Sequence, residues 1–320
     1  MMHSGRVLSI QSHTVHGYVG QKASTFPLEL LGIEVDPLNS VQLSNHKGYA
    51  KGAKGQVLQG EQLLEIIDGL DANDLLVGYT HLLTGYIGSV SFLRAVISVA
   101  KRLRERNPHL VYFCDPVLGD HGKFYVPVDL VDVYRDELIP LATVLTPNQF
   151  EIEQLTSRSI ASEEDAWAAC DILHSKGVAT VIITSCSLGV PDEVSLLAST
   201  RHSGSVENLD RLHDHPKGKA QKMIGERYVV KIPLIEGRYS GTGDLMAALL
   251  LAWTTRCGDD FGKALELSCD TVHAVIRRTH ESILEGKNPN RELRLVQSAQ
   301  DILNPKSNSN FTLRAERRDI

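Results

Sequence analysis

Ser240-Gly241-Thr242-Gly243-Asp244 stands directly before Leu245 to Trp253, a run that is apolar on every side. Such a run folds as a buried helix, and the glycines ahead of it let the backbone approach a ligand closely. Free amides at the helix start, with Gly241, Thr242 and Gly243 around them, make an anion hole for a phosphate. Asp244, in the first turn, can reach the same place and accept the proton of a hydroxyl that attacks phosphorus. The same residues also suit an ordinary helix start, with Thr242 or Ser240 as the cap and Asp244 complementing the dipole.

Three further clusters carry polar groups of the kind a nucleotide needs. Asp115 and Asp120, five residues apart, follow the apolar segment 110–114. Hard carboxylate oxygens there suit Mg²⁺ or a monovalent cation beside ATP phosphates, or they belong to an Asp-Pro turn with Asp120 in solvent. Thr146-Pro147-Asn148-Gln149-Phe150-Glu151 places Asn148 and Glu151 three apart at a helix start. They can face metal-bound water or phosphate together, or Thr146 can cap the helix with Glu151 as its partner. Thr184-Ser185 offers two hydroxyls after a β-branched run.

What positions these clusters is an alternation of short strands and amphipathic helices. Strands are expected over 6–11, 33–39, 74–78, 110–114, 141–145 and 180–184, and helices over 20–31, 61–70, 89–106 and 162–176. Gly32 should end the first helix and Ser162 should cap the last. In the helix over 89–106, Phe92, Val96, Val99 and Leu103 share one face. The alternation predicts right-handed crossovers and an α/β fold, a three-layer α/β/α sandwich around a mostly parallel central sheet. Ligands bind outside the carboxyl ends of such strands, where all four clusters fall. One domain is expected over 1–303, followed by a polar, frayed tail over 304–320. Residues 200–226 are rich in cations and histidines and poor in apolar anchors, which suits a long surface connection or a lid.

Composition narrows the classes. The chain has 320 residues, a net charge of −6, 42% hydrophobic and 22% charged residues, as in a globular domain without a basic nucleic-acid face. The five cysteines form no CxxC pair, so they read as thiols in a reducing compartment rather than zinc ligands. No apolar run approaches the roughly 18 residues that span a bilayer, and the polar start shows no signal peptide. A cytoplasmic protein with no membrane or nucleic-acid partner is expected. Neither a P-loop nor a strand-linked GxGxxG is present.

The order CDPVLGD, TPNQFE, ITS and GTGD, running from Cys114 to Asp244, resembles the pyridoxal kinases of the ribokinase-like superfamily. GTGD marks only the superfamily. The B6 branch is indicated by Leu8-Ser9-Ile10-Gln11-Ser12-His13, Gly17-Tyr18-Val19-Gly20, Asn39-Ser40-Val41-Gln42, Ser44-Asn45-His46 and Leu83-Thr84-Gly85-Tyr86. The resemblance spans about residues 6–302. It implies ATP-dependent phosphorylation of the pyridoxal 5′-hydroxyl, with pyridoxine and pyridoxamine as further substrates. Asp244 would be the base, and Gly241, Thr242 and Gly243 the anion hole. Ser12 would meet the pyridine nitrogen, and Val19, Val41 and Tyr86 would line the ring slot. Asp115, Asp120, Asn148 and Glu151 would order Mg²⁺–ATP, and Thr146 with Thr184 would hold K⁺ or Na⁺. Ser185 and Ile235, Glu236 and Gly237 would lie near the nucleotide. Members are homodimers with a flap over the site. Lys47 departs from the family pattern, where a substrate-contacting threonine is expected. Its chain is expected either to swing into solvent or to meet the aldehyde as an imine. The rivals are a hydroxymethylpyrimidine-type kinase on the same fold and a catalytically silent B6-binding protein.

Overall fold

The computed structural model describes residues 5–203, 223–306 and 311–319. From its amino end the chain runs β1 (Arg6–Thr14), α1 (Gln21–Leu30), β2 (Glu34–Leu43), β3 (Gly55–Val57), α2 (Gly60–Ala72), β4 (His81–Thr84), α3 (Val90–Arg106) and β5 (Val111–Cys114). A small hairpin, β6 (Gly119–Asp120) with β7 (Lys123–Phe124), and a short helix, α4 (Leu130–Val133), come next. Then follow β8 (Val144–Leu145), α5 (Gln149–Thr156), α6 (Glu163–Ser175), β9 (Thr180–Cys186) and β10 (Glu193–Ser203). The described chain closes with β11 (Met223–Pro233), α7 (Thr242–Cys257), α8 (Phe261–Leu284), α9 (Ala299–Leu303) and β12 (Thr312–Asp319).

Ten strands make one sheet in the order β12-β11-β10-β9-β8-β5-β4-β1-β2-β3. From β9 across to β2 every pairing is parallel, while β3 on one side and β10 to β12 on the other are antiparallel. Successive side chains of a strand point to opposite faces, and β1 shows this directly. Val7 joins the core beneath α1, α7 and α8, whereas Leu8 and Ile10 join the core beneath α2, α3 and α6. Helices thus cover both faces, as the alternation in the sequence predicts.

Local chemistry explains most boundaries. The Ser89 hydroxyl accepts from Phe92 N and starts α3, and Ser162 does the same for α6 through Asp165 N. Gly32, at φ 79°, ends α1 in the left-handed region. All nine residues from Leu245 to Trp253 are buried within α7.

Four expectations need correction. Residues 74–78 are no strand: Asp74 is left-handed at φ 56° and leads into a 3₁₀ turn, Leu75–Gly78, of which only Leu76 is buried. The strand of that region is β4. The five-residue strand expected over 141–145 shrinks to β8, because Ile139–Leu141, with Pro140, turns as a 3₁₀ element. The connection expected over 200–226 is partly strand, since β10 extends through Ser203 and β11 begins at Met223; residues 204–222 lie outside the described residues. The tail is not frayed throughout, because β12 pairs antiparallel with β11 from Thr312 to Asp319. Successive side chains anchor it on both faces: Leu313 packs against the α7–α8 core and Arg314 pairs with Glu163.

Deleting residues 311–320 strips β11 of its outer partner and exposes an unpaired edge. The expected result is a melting temperature lower by a few degrees, on the scale of a lost 1–2 kcal/mol in a domain this size. A thermal melt checks this, and an unchanged midpoint would show that the edge strand adds no stability.

Candidate active site

The carboxyl ends of β1, β4, β5, β8 and β9 lie in register. Asp115 N donates to Thr84 O at 2.9 Å, Thr146 N to Cys114 O at 3.0 Å and Thr184 N to Pro147 O at 2.9 Å. These bonds set Asp115 and Thr146, the first residues beyond β5 and β8, in one row with Thr184 near the end of β9. Gly241, at φ 89°, is the N-cap of α7, and no side chain caps the first amides of that helix. The Thr242 hydroxyl turns away instead, to Tyr239 O at 3.2 Å. The plain side-chain cap that the sequence left open is therefore absent, and the amides of 242–244 face outward without one. Any side chain at 241 would collide with the Tyr18 carbonyl, so the glycine is required by the close approach of the turn 17–20.

Asp244 Oδ2 accepts from Gly20 N at 2.8 Å. A buried polar ladder supports that contact. Ser24 Oγ donates to the Asp244 carbonyl at 3.2 Å and accepts from Gln11 Nε2 at 3.0 Å. Gln11 Nε2 also reaches Ser9 Oγ at 3.0 Å, which donates to Gln21 Oε1 at 2.8 Å. Strand β1, helix α1 and helix α7 are thereby held at fixed distances just below the site. Burial pushes the Asp244 carboxyl upward, against the Gly20 hydrogen bond that lowers it.

Asp115 is buried at the end of β5, and its pKa is driven well up by burial and then by the nearby carboxyls of Glu151 and Asp244. Glu151 is pushed up to about 8, by burial above all, although amides of Asn148, Leu118 and Gly119 pull against it. Three carboxyls thus crowd one desolvated space, an arrangement that favours a proton or a cation among them. The buried Thr146 hydroxyl lies beside the Asp115 carboxyl, and its interaction pulls that pKa down against the burial. Among the described residues no three His, Cys, Asp or Glu side chains form a ready-made metal cage.

The other expected residues sort into two groups. Asn148, not Thr146, caps α5. Asn148 Oδ1 accepts from Glu151 N at 2.9 Å and Glu151 Oε2 accepts from Asn148 N at 2.9 Å, a full capping box. Asn148 Nδ2 holds Gly119 O at 2.8 Å, so this side chain ties the β6–β7 hairpin to α5. The Asp120 carboxylate turns to its neighbour, accepting from His121 N at 2.8 Å, and Thr184 Oγ1 leans on Pro147 O at 3.5 Å. Ser185 is exposed at the end of β9. Ile235, Glu236 and Gly237 lie in the loop ahead of α7, where Tyr239 Oη donates to Glu236 O at 2.7 Å.

At the far side of the row, Ser12 pairs in register with Val41 after a bulge at Ser40 of β2, and Ser40 Oγ donates to Tyr86 O at 3.2 Å. Val19 lies in the turn beside them, half-buried. Lys47 is exposed, and its Nζ donates to Tyr86 Oη at 2.8 Å and lies 5.3 Å from the centre of that ring.

One group of this site escaped the sequence reading. Glu292, only 9% exposed, accepts from Tyr18 N at 3.0 Å and from Tyr49 Oη at 2.6 Å, with His46 Nε2 at 3.5 Å. Burial alone would raise its pKa, but these donors bring it down to about 2. Residues 44–49 and 17–20 were the available signals, since His46, Tyr49 and the Tyr18 amide all need an acceptor.

The Phosphomethylpyrimidine kinase family model matches residues 77–290. The chain is 51% identical over 318 residues to a pyridoxal kinase of Arabidopsis thaliana, covering 98% of this chain and 95% of that one. It is 44% identical over 311 residues to the pyridoxal kinase of Homo sapiens, covering 94% and 96%. Among solved structures, pyridoxal kinase from Leishmania donovani in complex with ADP and pyridoxine superposes with a TM-score of 0.84 at 36% identity, over 97% of this chain and 99% of that one.

A carboxylate with a depressed pKa stabilises the fold above its unfolded value and loses that contribution as pH falls through the folded one. Glu292→Gln is expected to lower stability on the order of 2 kcal/mol at pH 7. That difference from the native protein should shrink as pH falls from 4.5 toward 2. Urea melts at pH 7 and pH 3.5 test this, and an equal difference at both would refute it.

Proposed function

This chain belongs to the pyridoxal kinases, and on that premise we propose that it transfers the γ-phosphate of ATP to the 5′-hydroxyl of pyridoxal, with Asp244 as the base. The observation that carries the assignment is the Asp244 carboxylate, held by Gly20 N at 2.8 Å at the start of a helix whose amides no side chain caps. The raised pKa of Asp244 brings its basicity nearer to neutral pH than an exposed aspartate's, which suits proton acceptance. The amides of 242–244 would stabilise charge on the transferring phosphoryl group. Gly241 and Gly243 would keep side chains out of that space.

At the substrate end, Ser12, Val19, Val41 and Tyr86 would bound the ring, with Lys47 on its rim through Tyr86. The family model begins at residue 77, so it does not cover Ser12, Val19, Val41 or Lys47. The relatives do cover these positions, which favours pyridoxal over a hydroxymethylpyrimidine-type substrate. Pyridoxine and pyridoxamine, which share the hydroxymethyl group, fit the same chemistry. A silent binder would need no base in the anion hole, and Asp244 is retained.

Asp115 and Glu151 would hold Mg²⁺ beside the phosphates, and the buried Thr146 hydroxyl next to Asp115, with Thr184, would face K⁺ or Na⁺. Asp120 and Asn148 would act from the hairpin edge. Without a protein cage, phosphate oxygens and water would complete the shell of a hard cation. When bound, Mg²⁺ neutralises charge on the β- and γ-phosphates. Ser185 and the loop 235–237 would lie along the nucleotide. We take the assembly as a homodimer in the cytoplasm. No helix among the described residues is long and apolar enough to cross a membrane.

With Mg²⁺–ATP and K⁺, pyridoxal should yield pyridoxal 5′-phosphate, read by absorbance. Asp244→Asn should lower turnover by about 10²–10⁴-fold while nucleotide still binds. Near-native turnover would refute the base assignment, and turnover of hydroxymethylpyrimidine alone would overturn the substrate. Asp115→Asn removes one of three crowded carboxyls. It should raise the apo-protein's stability by about 1 kcal/mol and still lower kcat; a melt and an assay together check both signs.

A further inference from the structure

We propose that Glu292 is a positioning residue that locks the turn 17–20 and the loop 44–54 to each other, and so sets the ring slot against Asp244. The proposal rests on the reading of Asp244 as base given above. One carboxylate serves both segments: Oε2 takes the Tyr18 amide, and Oε1 takes the Tyr49 hydroxyl and lies near His46 Nε2. His46 Nδ1 accepts from Gly48 N at 3.1 Å, so the ring proton sits on Nε2 and faces the carboxylate. The His46 and Tyr49 rings meet edge-on, with centroids 4.8 Å apart. Asn45 Nδ2 closes the loop on Gly52 O at 2.9 Å.

The main chain at Glu292 is fixed from behind, where Asn288 Nδ2 donates to its backbone carbonyl at 2.8 Å, and the Glu292 carboxylate leaves no room for anything larger than glycine at Gly17. From Tyr18 the link continues in two directions. The Tyr18 carbonyl abuts Gly241, and two residues on, Gly20 N holds Asp244. A displacement at Glu292 therefore reaches the base through three residues of turn.

The residue type matters. Every group facing Glu292 is a donor, and a carboxylate is an acceptor at both oxygens. A glutamine keeps a single, uncharged acceptor oxygen and presents its NH₂ where groups now donate, so Tyr49 Oη could meet it only by giving up its own donation. Glu292→Gln should therefore loosen both segments, whereas Tyr49→Phe releases the loop alone.

The test is a double-mutant cycle of Glu292→Gln and Tyr49→Phe, with kcat and KM measured for pyridoxal and for ATP. Glu292→Gln should raise the pyridoxal KM and lower kcat, each by about tenfold, the scale of one charged hydrogen bond. Tyr49→Phe should raise only the pyridoxal KM, by about three- to fivefold. The ATP KM should stay within about twofold in both, and the double variant should be no worse than Glu292→Gln. Additive effects, or pyridoxal and ATP KM values that rise together, would overturn the proposal. If Glu292→Gln fails to fold, Tyr49→Phe alone decides, because an unchanged pyridoxal KM would also overturn it. Asp244→Asn run alongside separates the two ideas: if it stays active the base assignment fails, whereas the KM pattern of the cycle still reports on Glu292.

Discussion

The hydrogen bond from Gly20 N to Asp244 Oδ2 joins residues 224 apart in sequence. Much of the structure exists to make that contact possible. It requires α1 and α7 to begin at nearly the same point, which in turn requires both to pack on one face of the sheet. The buried chain of Gln11, Ser9, Gln21 and Ser24 sets the spacing from below. Polar groups buried this deeply are tolerated only when they are bonded, so the ladder also specifies one arrangement of the two helices. Glycine at 20 is dictated by the same crowding, since a side chain there would strike the Ser12 carbonyl.

Asp115, Glu151 and Asp244 show the opposite physics. They are desolvated and close: burial raises all three, and Glu151 and Asp244 raise Asp115 further. A fold optimised for its own stability would separate such groups or pair them with cations. Carboxyls crowded in this way cost stability, a pattern more common at functional sites than in the rest of a fold. Glu292 stands a short distance away under different rules. It is equally withdrawn from water, but three donors surround it, and its pKa moves in the other direction. Partners, not burial alone, decide which carboxylate remains charged.

Much of this was legible in the sequence. Strong helices announced themselves through spacing and caps, as with Ser89 and Ser162, and the all-apolar segment of α7 left only a buried helix. The ends of β5, β8 and β9 were marked by Asp115-Pro116, Thr146-Pro147 and Thr184, so that part of the row of polar groups could be placed without coordinates. Short elements were less readable. Leu75 to Gly78 has strand-like composition, but one buried side chain does not hold a strand, and the left-handed Asp74 diverts the chain. The segment of β12 is polar by composition and is recruited by an unpaired neighbour, a tertiary cause that no local pattern records. Glu292 was invisible for a related reason. Its meaning lies in donors from residues 18, 46 and 49, all more than 240 positions away.

The position of β1 has a consequence for biosynthesis. The first strand made is central in the sheet, between β4 and β2, yet its polar end is finished by groups from α7 and from Glu292. Native contacts of such long range form late in folding. A chain emerging from the ribosome can therefore bury its amino-terminal strands and helices well before it can hold Asp244 or close the turn at Tyr18. Asp244 and then Glu292 are made late, and chains cut short before residue 244 carry the amino-terminal strands and helices without either carboxylate.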